Sequence, residues 1–374
     1  MRVSRVGSHT YAGTPRATKQ CMQRVLVLVM LAACGDNIEP PEDYEPWILP
    51  DLTAAQGVSI RTPEFEVPSG AEIQDCYFFQ VPDVAGGADL MVDRIALALN
   101  TGSHHMNVFR VKTIRGLDPA AGVPVDLGGV QGTVVYGTDT NTECWKSANW
   151  SDWPLVSNSQ QSSSGDHVVD WNLPTDVAMR LSPGEMLMLQ IHFVNATDQV
   201  TPFVGRGGVN FYRSMDGDTQ ELGTLFATQQ SIRVCRSTPS PSYSGTCLMP
   251  SGLHTVAAAN GHFHSRGKRF RIFAWDGVST DQPDADAMFY DSTNWAEPDM
   301  AIDLDRSLPS PGGIWWTCDY QWKQPADGCE AVDARDPQHA NDCCYTFGPI
   351  VEASEHCNVF LYYYPKVTES ITCF

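Results

Sequence analysis

Short apolar runs separated by turn residues dominate this sequence and limit the folds open to it. Runs such as CYFFQV, RIALALN, MLMLQIHF, RFRIFAW and NVFLYYY are rich in Val, Ile, Leu, Phe and Tyr and are separated by Gly, Pro, Asn and Asp. Such runs are typical of β-strands, and no long stretch with a helical period competes with them. We therefore predict an all-β chain built as two antiparallel β-sandwich, jelly-roll-like domains.

The 374 residues are enough for two domains of ordinary size. The polar stretch 214–222 (SMDGDTQEL) is a candidate boundary, and residues 35–60, which are rich in Pro, Asp and Glu, are typical of a tether. Segment 327–344 is predicted to be an irregular insertion tied down by its cysteines. The predicted divisions are a signal peptide at 1–34, a tether at 35–60, an N-terminal β-sandwich at 61–215 and a C-terminal β-sandwich at 216–374.

The N-terminus carries an export signal. Arg24 precedes an apolar run, Val25 to Ala33, which is too short for a membrane-spanning helix but suits a signal-peptide core. The tetrad Leu31-Ala32-Ala33-Cys34 resembles a bacterial lipobox, so we expect lipidation at Cys34. This implies an exported cell-envelope lipoprotein, facing the periplasm or the cell surface, that contacts the membrane only through its lipid anchor. The alternative is an ordinary cleaved signal peptide.

Charge and cysteine content restrict the partners and the compartment. A net charge of −20 argues against a nucleic-acid partner, because phosphate binding needs clustered Lys and Arg. Without Cys21 and Cys34, ten cysteines remain, and an even number in an exported chain implies disulfides rather than thiolate ligands. These cysteines, whose pairing stays open at this point, are Cys76, Cys144, Cys235, Cys247, Cys318, Cys329, Cys343, Cys344, Cys357 and Cys373.

Six of the ten histidines lie in four short segments, in the order pair, single, pair, single. Imidazole is a common ligand for copper, zinc, iron and nickel, so this order indicates two metal sites with three ligands each. The first set is His104, His105 and His192, and the second is His262, His264 and His356. The remaining four, His9, His167, His254 and His339, fit no motif and are predicted to be surface or loop residues.

The two histidine pairs place different demands on the backbone. On a strand, His262 and His264 point to one face while Phe263 points to the other. Adjacent strand residues point to opposite faces, so joint ligation by His104 and His105 requires a strand end, a bulge or a twist.

Several motifs occur together in a characteristic order. They are HHM at 104–106, LPTDVAMRLSPGEMLMLQIHF at 173–193, GHFHSRGKRFRIF at 261–273, WTCDY at 316–320 and SEHCNVFLYYYP at 354–365. Over roughly residues 60–374 the chain resembles the copper type II, ascorbate-dependent monooxygenases, the family of peptidylglycine α-hydroxylating monooxygenase and dopamine β-monooxygenase.

The resemblance implies a function and a set of roles. It implies hydroxylation of a C–H bond with O₂, two copper ions and a reductant such as ascorbate. The set His104, His105 and His192 would form an electron-transfer site. His262, His264 and a sulfur ligand would form the catalytic site for O₂ and substrate, across a solvent-filled cleft.

Four further features follow from the resemblance alone. Gln190 would orient groups beside the first site, although a solvent-facing strand glutamine is the alternative. Asn358 matches a substrate-pocket asparagine. The disulfides that the resemblance implies are Cys318–Cys357 and Cys247–Cys373. Cys76 matches a family cysteine whose partner, expected just after the third ligand, is absent here.

The chain also departs from the family. His356 stands where the family has methionine, whose soft thioether favours Cu(I), and it either ligates copper or points away. Asn260 and Phe360 replace an arginine and a tyrosine that hold a peptide carboxylate. Peptide amidation is therefore disfavoured, and the substrate, a small molecule or a peptide, stays open. The alternatives to a hydroxylase are a copper-binding or storage lipoprotein with a degenerate second site, and a structural sandwich.

Overall fold

The computed structural model describes residues 49–100, 102–111, 134–136, 153–160, 168–197, 202–215, 217, 220–326, 328–329, 342–348, 350–368 and 370–374. Its strands are β1 Gly57–Arg61, β2 Phe65–Val67, β3 Glu72–Gln80, β4 Leu90–Leu99, β5 Ser103–Arg110, β6 Val134–Tyr136, β7 Leu155–Ser159, β8 Val168–Asn172, β9 Val177–Leu181, β10 Met186–Val194, β11 Phe203–Gly205, β12 Gly207–Arg213, β13 Gln220–Glu221, β14 Gly223–Thr228, β15 Arg233–Cys235, β16 Ser242–Leu248, β17 Thr255–His262, β18 Gly267–Trp275, β19 Met288–Ser292, β20 Arg306–Ser307, β21 Gly313–Tyr320, β22 Cys344–Thr346, β23 Asn358–Tyr364 and β24 Ile371–Cys373.

These strands confirm the prediction of an all-β chain. They form four larger sheets, numbered here in chain order, and most neighbouring strands are antiparallel. Sheet 1 has the order β1-β12-β4-β9-β13 with β8 also paired to β4, sheet 2 is β6-β3-β10-β5-β7, sheet 3 is β20-β17-β23-β14-β24, and sheet 4 is β16-β21-β18-β19. Two ribbons, β2–β11 and β15–β22, complete the pairing.

Apolar side chains of sheets 1 and 2 form a first core. Ile95 and Leu97 of β4 and Leu189 and Ile191 of β10 are all at most 1% exposed and belong to one cluster. Burial of each such side chain contributes about 1.5–3 kcal/mol relative to an exposed one, which is why these runs form strands that pack face to face.

Sheet 3 is covered on both faces. In β23, Val359 and Leu361 belong to a second core shared with sheet 4, whereas Phe360 and Tyr362 belong to the first core. The continuous apolar run NVFLYYY is therefore a strand buried on both sides. Because sheet 3 joins both cores, residues 45–374 form one compact unit.

The folded region begins before the end of the predicted tether at 35–60. β1 starts at Gly57 and pairs with β12, and Val58 and Ile60 fill the first core. At the candidate boundary 214–222, Met215 is 83% exposed, but β13 pairs in parallel with β9 of sheet 1. The signal peptide and its lipobox lie outside the described residues.

Disulfides stabilise mainly the C-terminal half. Both pairs implied by the resemblance are present, and two more join Cys235 to Cys344 and Cys329 to Cys343. Cys76 is also disulfide-bonded. Within the described part of the chain, no helix combines the length and the apolar character needed to cross a membrane.

Candidate metal centre

A β-bulge brings His104 and His105 to the same site. His105 of β5 lies opposite His192 of β10, but the next paired residues are Ser103 and Phe193. His104 is therefore the extra residue in β5. In a regular strand its side chain would point to the face opposite that of His105, and the bulge removes this constraint. The predicted requirement for an irregular backbone at this pair is met by this bulge.

The first histidine set forms between two neighbouring strands. The ligand nitrogens of His104, His105 and His192 all lie within 4.8 Å of one another, and all three residues are buried. Nε2 of His192 lies 2.8 Å from a carboxylate oxygen of Glu72 on β3. This contact orients the ring and leaves Nδ1 of His192 facing the set.

The second pair lies at the end of β17. Phe263 points into the second core and packs on Phe270, so His262 and His264 share the opposite face, as predicted. Nδ1 of His262 lies 2.7 Å from Oε1 of Gln160, and Nδ1 of His264 lies 3.0 Å from the carbonyl oxygen of Ser354. Both contacts leave Nε2 of each ring without a partner among the described residues.

His356 lies beside this pair without completing its set. Its ring centroid is 4.3 Å from that of His264 and 5.0 Å from that of His262, and Phe347 packs on it at 4.8 Å. The nitrogens of His262 and His264 instead meet within 4.8 Å of a nitrogen of His104. The backbone of His356 is fixed by the adjacent Cys357–Cys318 disulfide and by a hydrogen bond from the Tyr320 hydroxyl.

The two sets form a single cluster. The ring centroid of His104 is 5.0 Å from that of His262 and 5.3 Å from that of His264, and the centroids of His105 and His262 are 5.1 Å apart. All six histidines are at most 5% exposed. The resemblance implies a solvent-filled cleft between two sites, and the structure differs from that expectation because the sets are in contact.

Hydrogen bonds between the two halves hold this arrangement. The Glu72 oxygen that contacts His192 also accepts the backbone N–H of Val351, at 2.9 Å. Asn158 and Gln160 both donate to the side-chain oxygen of Asn260. Asn260, which stands where the peptide-amidating enzymes of the resembling family have arginine, therefore contacts β7 and the residue that follows it.

The nitrogens of the cluster fit metal ligands. Eight buried imidazole nitrogens of the cluster have no hydrogen-bond partner among the described residues. They are Nε2 of His104, both nitrogens of His105, Nδ1 of His192, Nε2 of His262, Nε2 of His264 and both nitrogens of His356. Buried polar atoms without partners are costly, and a soft or borderline metal ion would satisfy several at once.

Burial keeps five of these histidines neutral. Loss of solvation, followed by the proximity of other imidazoles, holds the pKa of His104, His105, His262, His264 and His356 well below the ordinary value. A neutral imidazole has a free lone pair, so the rings are ready to ligate at neutral pH.

A buried carboxylate fixes the turn that carries His264. Glu355 accepts the backbone N–H groups of His264 and Arg266, at 3.0 and 2.8 Å. Burial raises the pKa of Glu355 to about 8. The guanidinium of Arg266 lies over the ring of Tyr345, 3.9 Å from its centroid.

A small cavity adjoins the cluster. Its space for water-sized spheres measures about 10 Å³, and it is lined by Gln74, His105, Asn107, Gln190, His262, His356, Asn358 and Phe360. Gln190 is fully buried and accepts a hydrogen bond from Asn107, so it is not the solvent-facing glutamine of the alternative interpretation. Asn358 is 1% exposed and lies opposite His262 in the sheet.

Three further findings concern residues outside the ligand sets. His254 is buried rather than exposed, because it packs on Tyr363 and bonds the carbonyl oxygen of Pro250. His9, His167 and His339 lie outside the described residues. The side-chain ligand atoms of Cys235, Asp342 and Cys344 lie within 4.8 Å of one another, as in a metal site, but the two cysteines form a disulfide.

The orienting residues Glu72, Gln160 and Ser354 have no signal in the sequence that marks them. Glu72 and Gln160 are far from the histidines in the chain, and Ser354 acts through its backbone oxygen. The register of β3 against β10 places Gln74 opposite His192, and only this register would have indicated that Glu72 lies near His192.

Comparison with known proteins adds little. No protein-family model matches the chain, and no curated protein matches its sequence. The chain is similar to the major capsid protein P2 from Bacteriophage PM2, with 9% identity and a TM-score of 0.30 over 81% of this chain and 97% of that one. It is also similar to the N-terminal CBM22-1-CBM22-2 tandem domain from Paenibacillus barcinonensis Xyn10C, with 11% identity and a TM-score of 0.17 over 80% and 82%. Similarities this low carry no argument about fold or function.

Proposed function

We propose that this protein is a copper-dependent monooxygenase that hydroxylates a C–H bond, using O₂ and a reductant such as ascorbate. The observation that carries the proposal is the convergence of six buried histidines from four distant segments, with eight ring nitrogens unpartnered among the described residues. Imidazole sites of this kind suit copper, and the sequence motifs around them resemble those of one copper monooxygenase family.

Each side chain has a role in this proposal. His104, His105 and His192 hold one copper ion, and His262 and His264, with His356, hold the other. Bound copper supplies one-electron redox chemistry and the activation of O₂. Glu72, Gln160 and the Ser354 carbonyl hold the rings of His192, His262 and His264 in the orientation that frees a ligand nitrogen.

The overall reaction is balanced by the reductant. One oxygen atom of O₂ enters the C–H bond and gives an alcohol, while the other leaves as water. The reductant supplies two electrons, and two protons are taken up with them. Ascorbate can deliver these electrons one at a time.

The architecture and location follow the same proposal. We interpret the two cores as two β-sandwich, jelly-roll-like domains that share sheet 3. Four disulfides among the described cysteines support an oxidising, extracytoplasmic compartment. We further propose a lipid anchor at Cys34, and palmitate labelling of the wild type but not of Cys34→Ala would support it.

The test uses the soluble chain that starts after Cys34. Copper content is measured first, and two ions per chain are expected. Ascorbate and candidate substrates with activated C–H bonds are then supplied under ¹⁸O₂. Incorporation of one labelled oxygen into the product supports the proposal, and copper loading without O₂ consumption across the screen contradicts it.

A second candidate function is copper binding or storage without hydroxylation. It is favoured by the deep burial of the cluster and by the small cavity, which has room for about one water molecule and not for an organic substrate. His356 in place of a sulfur ligand also favours it. Tight copper binding with no ascorbate-driven product would select this function.

A further inference from the structure

We propose that the six histidines form one two-metal centre, in which the two ions are neighbours and interact magnetically. The inference rests on the copper-binding part of the proposed function but not on hydroxylation. It differs from two independent sites separated by solvent, and it concerns how this chain places its own ligands.

His104 connects the two sets. One of its ring nitrogens lies within 4.8 Å of nitrogens of His105 and His192, and a nitrogen of His104 also lies within 4.8 Å of nitrogens of His262 and His264. Its ring centroid is 5.3 Å from that of His192 and 5.0 Å from that of His262. Ions bound in both sets would therefore be neighbours, with His104 beside both of them.

The number of free nitrogens favours two ions over one. A single ion with ordinary coordination takes about four imidazoles. At least two histidines would then keep buried nitrogens that are unpartnered among the described residues, which costs free energy. Two ions can satisfy nitrogens in all six rings.

The arrangement is held from both sides. Glu72 joins His192 of the first set to the backbone N–H of Val351, which lies in the segment leading to His356. Gln160 contacts His262 of the second set and also donates to Asn260. These bonds connect sheet 2, whose strands β5 and β10 carry the first set, to the segments that carry the second set, and they oppose separation of the two.

The test is EPR of the chain loaded with Cu(II). Two isolated Cu(II) ions give the sum of two axial spectra and integrate to two spins per chain. An interacting pair gives a broadened or weakened signal and a half-field transition. We expect two copper ions per chain together with the half-field transition.

Two variants locate the interaction. His104→Ala should abolish the half-field transition while the chain still binds copper, because the connecting ring is removed. His254→Gln is the matched control, since His254 is a buried histidine outside the cluster, and it should keep the wild-type spectrum. Circular dichroism of both variants checks that they fold.

Two outcomes would overturn the proposal even if His104→Ala fails to fold. The first is wild-type protein with two coppers and an additive two-spin spectrum. The second is wild-type protein that binds only one copper. A half-field transition without any hydroxylated product would leave the two-metal centre intact and contradict only the monooxygenase function.

Discussion

The carboxylate of Glu72 lies 2.8 Å from Nε2 of His192, and the same oxygen accepts the backbone N–H of Val351. A single side chain on β3 thus orients a ligand of the first histidine set and binds the segment that leads to His356. The contact with His192 depends on a negatively charged acceptor, because an imidazole N–H forms a stronger hydrogen bond with a carboxylate than with a neutral group.

Replacing this carboxylate should weaken the first set. Glu72→Gln keeps the size of the side chain and an oxygen for Val351, but it removes the charge beside His192. Loss of a group that orients a metal-bound histidine typically lowers metal affinity by about 10- to 100-fold. Competitive Cu(II) titration measures the change.

The control for this prediction is Glu66→Gln, which makes the same substitution at an exposed glutamate of β2. Its copper affinity should equal that of the wild type. Equal affinities for both variants and the wild type would show that Glu72 does not orient a ligand.

We predict that His356 influences which copper oxidation state the second set prefers. A thioether is a softer ligand than imidazole and favours Cu(I), so His356→Met should raise the affinity for Cu(I) relative to Cu(II). His356→Ala should lower the affinity for both states. Titration with Cu(I) and Cu(II) chelators separates the two effects, and no change in either variant would mean that His356 does not contact copper.

The sequence predicts the strand content and the candidate ligands better than it predicts how they meet. The composition and length of the apolar runs identify β18 and β23, and the HxH spacing predicts that His262 and His264 share a face opposite Phe263. Such information is local. It depends only on the two-residue period of a strand.

The contact between the two sets depends on long-range pairing, which the sequence does not encode locally. The need for an irregularity at His104-His105 follows from strand geometry, but its position depends on the register of β5 against β10. Burial of Gln190 and His254 likewise depends on what packs over them. The local sequence around a residue does not reveal which distant segments pack over it.

The contact between sheet 3 and sheet 2 should depend on a buried hydrogen bond. The Tyr362 hydroxyl donates to Oδ1 of Asn158 at 2.7 Å, and the Tyr362 ring packs on Trp171. Tyr362→Phe keeps the ring but removes this donor, and we expect a loss of about 1–3 kcal/mol in the free energy of unfolding.

Urea unfolding measures this loss, with Tyr364→Phe as the control. Tyr364 is only partly buried, and its hydroxyl contacts Asp305 at 3.4 Å, so its removal should have little effect. A loss for Tyr362→Phe no larger than that of the control would show that the bond does not stabilise the contact.

Two disulfides of the C-terminal half should differ in their effects on metal binding. Cys318–Cys357 anchors the residue next to His356, whereas Cys247–Cys373 joins β16 to the C-terminal strand, outside the cluster. Their sequence separations are 39 and 126 residues. Chain entropy predicts that replacing each pair by serine lowers the free energy of unfolding by about 4 and about 5 kcal/mol, respectively.

The larger loss of stability should therefore come with the smaller loss of copper. Cys318→Ser with Cys357→Ser should alter the Cu(II) EPR spectrum and weaken the second ion, because His356 loses a covalent anchor for its backbone. Cys247→Ser with Cys373→Ser should bind copper as the wild type does once it is folded. If the two double variants lost copper in proportion to their loss of stability, the Cys318–Cys357 disulfide would act on the whole fold and not on the position of His356.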